Sequence, residues 1–298
     1  MTEISYVDLS KTIRQVFLDA DKYKMDKYVP AFEVDGKYQG DCFNYTIFEP
    51  RGAQAPLFYH VYSPYDIISK KAPQRALVFD AGELILDADI AAQVRVRTAV
   101  MSGLVIQALG HSQLHGRVLF IGTGNIAREA LRSLKAHFPE LTAVDFVNTR
   151  GSDAEFAAVG DEVGVKTQAT SLQSIGEYDY IICHTSAHEP VLTAELRSSI
   201  KPGALIASFV SEDFCELSEE YYAAADANVI IDWDQTIAEA PELQRAVDAG
   251  VADPVKIIRL KDLLSGAQRI DDNKKYTVYR THGTPMQNLA VLKLLMEQ

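Results

Sequence analysis

An α/β fold, a parallel sheet domain joined to a second α+β domain, is what the sequence predicts, and three observations predict it. GRVLFIGTGNIAREALRSL, residues 116–134, carries an apolar strand through a glycine turn into a helix. Beyond it the uniformly apolar runs AVDFVN, YIICHT, ALIASFV and NVIIDW alternate with helical stretches, the pattern of parallel strands covered by helices on both faces. Ahead of it, Tyr28 to Asp89 is rich in aromatic and β-branched residues and is broken at Asp35-Gly36, Pro50-Arg51-Gly52 and Ala81-Gly82, as antiparallel hairpins are.

In chain order, residues 5–22 carry Val7, Ile13, Val16, Phe17 and Ala20 at helical spacing, so a helix with one buried face is expected first. RALVFD and ELILDAD, on either side of Ala81-Gly82, form the clearest hairpin. VRVRTAVMSGLVIQALGH then reads as a helix with Val100, Leu104, Ile106 and Leu109 on an apolar side, leading into the glycine turn. Ser152 with Glu155 fits a capping box, and Pro202-Gly203 punctuates the chain before a strand. YTVYRTHGTPMQNLAVLKLLMEQ closes the chain as a strand, a turn at Gly283 and an amphipathic helix that packs back on the first domain. The division expected is residues 1–115, completed by about 277–298, as a substrate and dimerisation domain, with 116–276 as the second.

Composition bounds the function. With 47% hydrophobic and 23% charged residues the chain has an ordinary globular balance, and its net charge of -12 repels nucleic acid and anionic lipid, so neither is expected as a partner. The N-terminus lacks a basic region followed by an apolar run, and no stretch is long enough to span a bilayer, so a cytoplasmic protein is expected. Cys42, Cys183 and Cys215 are odd in number and far apart, which suggests buried thiols rather than disulfides or a metal knuckle.

The motif Gly122-x-Gly124-x-x-Ala127 gives the glycine turn its chemistry. Gly122 permits the tight turn, Gly124 permits close approach of a pyrophosphate, and Ala127 keeps helix and strand together, while the amides of Gly122, Thr123, Gly124, Asn125 and Ile126 face the anion. A strand before it, a helix after it and further βα units make this a Rossmann-type dinucleotide site; an S-adenosylmethionine site, as in a methyltransferase, is the nearest rival. At the end of the second strand stand Asn148, Thr149 and Arg150, while Asp145 lies inside the strand. An arginine there suits a 2′-phosphate, so NADP(H) is the expected cofactor, with NAD(H) the alternative. Arg150 as a solvated turn residue is the bland alternative.

RTAVMSGLVIQALG, RVLFIGTGNIAREAL, IICHTSAHEPVL and VIIDWDQTIAEAPEL, taken together, resemble the ornithine cyclodeaminase/mu-crystallin family over residues 76–298. The resemblance implies an NAD(P)(H)-binding homodimer acting on the C–N bond of an amino acid or cyclic imine. It makes Arg97 the anchor for a substrate carboxylate, which a planar guanidinium suits, and Asp232 the acid/base at the substrate nitrogen. Thr185 falls in a cofactor loop on the nicotinamide side. Where the family has a lysine, PLFYHVYSP offers His60 or Tyr59, and KYVPAFEVDG lacks the family's arginine, so the amino-acid clamp is incomplete and ornithine is doubtful as substrate. His60 then stands in for the lysine as a proton or charge donor.

Each residue also has a plainer reading. Arg97 alone reads as a surface arginine, Asp232 as a helix cap for which Asp234 is the better candidate, His60 as a packed core histidine and Trp233 as core. Cys183, His184 and His188 match no common zinc spacing, so no metal is expected. The expected function is an imine or ketimine reductase or an amino-acid dehydrogenase; a cyclodeaminase and a noncatalytic NADP(H)-binding protein are the alternatives.

Overall fold

The computed structural model describes residues 4–28, 31–34, 37–64, 74–148, 153–209 and 214–298. The chain divides into two compact units, 1–97 with 284–298, and 98–283. The units therefore part after Arg97 and again after Gly283.

In the first unit, helix α1 (Tyr6–Leu18) turns Leu9, Ile13, Val16 and Phe17 inward, and its cap is Ser5, whose side chain accepts from the Asp8 N–H. Six strands follow: β1 (Lys24–Tyr28), β2 (Ala31–Val34), β3 (Lys37–Arg51), β4 (Gln54–Pro64), β5 (Arg75–Asp80) and β6 (Glu83–Asp89). They make one antiparallel sheet in the order β1-β3-β4-β5-β6, with β2 on β3. On β4, Tyr59 and Val61 are buried while His60 and Tyr62 are half-buried, the alternation of a strand with one face on a core. The expected hairpin is β5 against β6.

Helix α2 (Ala91–Ala108) runs across the division of the chain at Arg97. From Ala99 to Ile106 every residue is apolar or small and buried, so the expected single apolar side is in fact an apolar circumference.

The second unit continues with β7 (Val118–Ile121), α3 (Asn125–His137), β8 (Ala143–Val147), α4 (Asp153–Val163), β9 (Lys166–Ala169), β10 (Tyr180–Cys183), α5 (Ala194–Arg197), β11 (Ala204–Phe209), β12 (Ala227–Ile231), α6 (Gln235–Glu239), α7 (Pro241–Asp248), β13 (Ile258–Arg259), α8 (Leu260–Ser265) and β14 (Tyr276–Thr281). Its eight strands form a parallel sheet in the order β13-β12-β14-β11-β10-β7-β8-β9. Every residue of β7, β10, β11, β12 and β14 is buried, as strands covered on both faces require. Sequence order reverses between β7 and β10, and the crevice outside the carboxyl ends at such a point is where open α/β sheets bind ligands.

The last helix, α9 (Pro285–Met296), returns to the first unit and packs against α1. Its residues Pro285 to Leu292 are all buried, so it is not the amphipathic helix expected; Gln287 and Asn288 are enclosed with the apolar ones. No helix among the described residues is long and apolar enough to cross a membrane.

Candidate functional site

Pairing in the parallel sheet sets a row of residues at the carboxyl ends of six adjacent strands. Ile121 pairs with Val147 and with Cys183, Cys183 with Ser208, Phe209 with Thr281, and Ile231 with Arg280. One rank at the strand ends therefore reads Asn148, Gly122, His184, Phe209, Thr281, Asp232.

Gly122 is held by geometry. Its φ of 93° is left-handed, and a Cβ there would lie 2.3 Å from the carbonyl oxygen of His184. Its N–H donates to the Val147 carbonyl at 2.9 Å, tying the turn to β8. Gly124 is different: it occupies the cap position of α3 in extended backbone, and a Cβ there would meet nothing within 4 Å. Backbone N–H groups at the start of a 13-residue helix thus border open space, the arrangement that receives an anion. Asn125 opens that helix and accepts from the Arg128 guanidinium at 2.7 Å, Ile126 follows it in the first turn, and Ala127 is buried against the sheet. A cavity of about 190 Å³ lies here, bordered by Gly122, Thr123, Gly124, Asn148, Thr185 and His184 among others. Five of the residues predicted to hold a cofactor thus share one cavity. Thr149 and Arg150 lie outside the described residues.

Behind the cavity sits a carboxylate that the sequence reading missed. Glu216 is fully buried; it accepts from the Thr185 N–H at 2.6 Å, the Ser208 hydroxyl at 2.8 Å and the Phe209 N–H at 3.2 Å. Burial pushes its carboxyl above the usual range, against the pull of these donors. Glu216 so fixes the loop after β10 to the end of β11. In the same place, burial raises the Cys183 thiol well above its ordinary value, which leaves it an inert apolar group. Among the described residues no group of three His, Cys, Asp or Glu is placed to hold a metal ion.

His184 is enclosed from three sides. Its N–H donates to Ile121 at 2.8 Å, its carbonyl abuts Gly122, and its ring stacks on Phe209 with centroids 4.6 Å apart. Burial lowers its pKa to about 3, so the imidazole is neutral at physiological pH.

Asp232 ends β12 and is 2% exposed. Its two carboxylate oxygens accept from the Tyr279 and Thr281 hydroxyls, each at 2.5 Å, and Thr281 in turn accepts from the Gly283 N–H at 3.1 Å. Two donors from β14 therefore orient a single buried carboxylate. Tyr279 lies edge-on to Phe209 at 5.7 Å, continuing the packed row toward His184. The neighbouring Asp234 occupies the cap position of α6 but makes no capping hydrogen bond, because Arg259 holds it at 2.6 and 2.9 Å. Trp233 between them is half-buried. Below the row, Arg280 and Glu242 form an ion pair at 2.6 Å with both side chains fully enclosed, and the Arg280 Nη1 also donates to the Thr281 carbonyl at 2.9 Å.

Arg97 and His60 belong to the first unit. Arg97 is 5% exposed, not a surface arginine, and its Nη1 donates to Gln287 of α9 at 2.7 Å. His60 stacks on Tyr62 at 5.7 Å, and partial burial lowers its pKa from the ordinary imidazole value. Tyr59 faces the core and donates to Glu49, which also pairs with Lys293 at 2.9 Å. Asp145 is bound by Arg117 at 2.6 Å and by Tyr178 at 2.9 Å, away from the carboxyl end of its strand. Asn148 at that end donates to Asp153 at 2.6 Å.

Solved structures share this architecture over nearly the whole chain. The iminosuccinate reductase of Paracoccus denitrificans, in complex with NAD+, superposes with a TM-score of 0.84 at 19% identity, covering 99% of this chain and 92% of that one. The Thermococcus litoralis Δ1-pyrroline-2-carboxylate reductase, in complex with NADH and L-proline, gives 0.82 at 19% identity over 99% and 93%. A probable ornithine cyclodeaminase from Bordetella pertussis gives 0.79 at 20% identity over 99% and 94%. No curated protein matches by sequence. At these identities the likeness is one of fold, and it agrees with the family model for ornithine cyclodeaminase/mu-crystallin, which matches residues 79–298. With glycine turn, parallel sheet and family model coinciding over most of its length, the chain belongs to the ornithine cyclodeaminase/mu-crystallin family.

Proposed function

We propose that this protein is a nicotinamide-dinucleotide-dependent enzyme that transfers hydride at the carbon–nitrogen bond of an amino acid or imine, working as a homodimer. The observation that carries the reading is the row at the carboxyl ends of the sheet, which holds Gly122 at the end of β7, leading into the open-faced cap Gly124, and the buried, hydrogen-bonded Asp232 at the end of β12. The neighbours in complex with NAD+ and with NADH support the cofactor class.

The turn at Gly122, Thr123 and Gly124 and the first turn of α3 would hold the diphosphate on backbone N–H groups, with Asn148 at the adenosine side and Thr185 at the nicotinamide side. When bound, a nicotinamide supplies or accepts the hydride. Asp232 exchanges the proton at the substrate nitrogen, giving it in the reductive direction and taking it in the oxidative one, and its two hydroxyl donors keep it in a single orientation. Arg97 holds the substrate carboxylate, and the Gln287 side chain fixes its guanidinium. His60 contributes a neutral hydrogen-bonding group. NADP(H) is preferred in this reading, because Asn148 replaces an acid at the strand end and Asp145 is engaged elsewhere.

Titration of the protein with NADPH and NADH, followed by turnover with a panel of cyclic imines, ketimines and amino acids, tests the reading. Micromolar binding with NADPH the tighter, and oxidation in the presence of an imine, is expected. Binding of neither nucleotide removes the proposal, and tighter NADH reverses the preference. A histidine, His60, where the resemblance places a lysine favours one second reading, a noncatalytic binding protein, which predicts tight NADPH binding with no turnover on any member of the panel.

A further inference from the structure

His184 is the residue of the cavity wall whose chemistry is unused. It is 8% exposed, and neither ring nitrogen has a hydrogen-bond partner in the protein. Leaving a buried donor and acceptor unmade is costly, so a residue fixed this firmly by Ile121, Gly122 and Phe209 points to a ligand atom.

We infer that His184 recognises the sugar on the nicotinamide side of the dinucleotide, one imidazole nitrogen hydrogen-bonding a ribose hydroxyl. The inference rests on the cofactor reading above. Position selects this sugar. Asn148 and His184 flank Gly122 at the same rank, one strand away on opposite sides, and the adenosine half lies toward the strand carrying Asn148. His184 is thus on the other half, about 4.8 Å across from the diphosphate turn, the reach from a phosphate to its next sugar. Chemistry selects the hydroxyl. A neutral imidazole presents one donor and one acceptor, which a diphosphate, acceptor only, cannot match and a vicinal diol can. Phe209 beneath the ring limits its tilt, so the discrimination is geometric as well.

The test uses the intact chain and follows binding through quenching of Trp233, its single tryptophan. Wild type and H184F, which keeps the aromatic stack and removes both nitrogens, are titrated with NADPH and with adenosine 2′-phosphate 5′-diphosphate, which lacks the second sugar. H184F is expected to bind NADPH about 5- to 10-fold more weakly and the truncated nucleotide as well as wild type does. Unchanged NADPH affinity, or an equal loss for both nucleotides, overturns the inference while leaving the cofactor reading intact. A wild type that binds only NADH is compared with H184F on NADH and ADP instead, with the same outcomes, and one that binds neither reduced nucleotide ends the cofactor reading itself and this inference with it. H184L serves the same comparison should H184F fail to fold, and H184Q, which retains a donor and an acceptor, should recover part of the affinity.

Discussion

Asp232 shows how one side chain can be committed by its neighbours. A buried carboxylate is tolerated only when its oxygens are satisfied, and here hydroxyls of Tyr279 and Thr281 on β14 each donate to one of them. D232N keeps the volume and removes the proton exchange. We expect its turnover to fall by about 10²-fold or more, the usual contribution of a positioned acid or base, with NADPH affinity unchanged. A turnover within a few-fold of wild type would remove Asp232 from the chemistry. The residue was legible in the sequence because it follows an apolar strand in a matched motif. Tyr279 and Thr281 were not, since hydroxyl residues in a strand give no sign of what they face.

At the scale of elements, the loop after β10 depends on Glu216. In E216Q one oxygen remains for Thr185, and the new amide group then faces the Phe209 N–H, a donor against a donor. The expected cost is ~1–3 kcal/mol of stability in urea unfolding, with weaker NADPH binding as the loop loosens. A variant as stable as wild type, with the same affinity, would mean that the loop is held by other contacts. Glu216, Arg280 and Glu242 escaped the sequence reading for one reason: a charged residue reads as surface until its partners, far away in the chain, are known. Conversely, five parallel strands of the second unit were legible as largely apolar runs, whereas β9, KTQA, is largely exposed and β13 has two residues, so neither carries such a run. The closing helix departs from the amphipathic expectation because its polar Gln287 and Asn288 are both buried, Gln287 accepting from Arg97.

For the whole molecule, enclosed histidines make stability depend on acid. His184 has its pKa lowered from 6.5 to about 3 by burial, and His137 is lowered by the same cause. Between those limits the unfolded chain binds a proton at position 184 that the native state refuses, so this contribution is intact above pH 6.5 and is lost as pH falls toward 3. The slope is ~1.4 kcal/mol per pH unit at most. Melting curves from pH 7 to pH 5 should therefore show wild type losing more than H184F over the same interval; parallel losses would mean that the imidazole is hydrated in the native state.

The order of the eight-stranded sheet carries one more consequence. β14, the last strand of the chain, lies between β11 and β12. A ribosome must therefore deliver residue 281 before the two halves of that sheet can be joined, and the hydroxyls that fix Asp232 arrive with the same late segment. A nascent chain holding the glycine turn but ending before residue 276 has the turn and lacks both hydroxyls that orient Asp232.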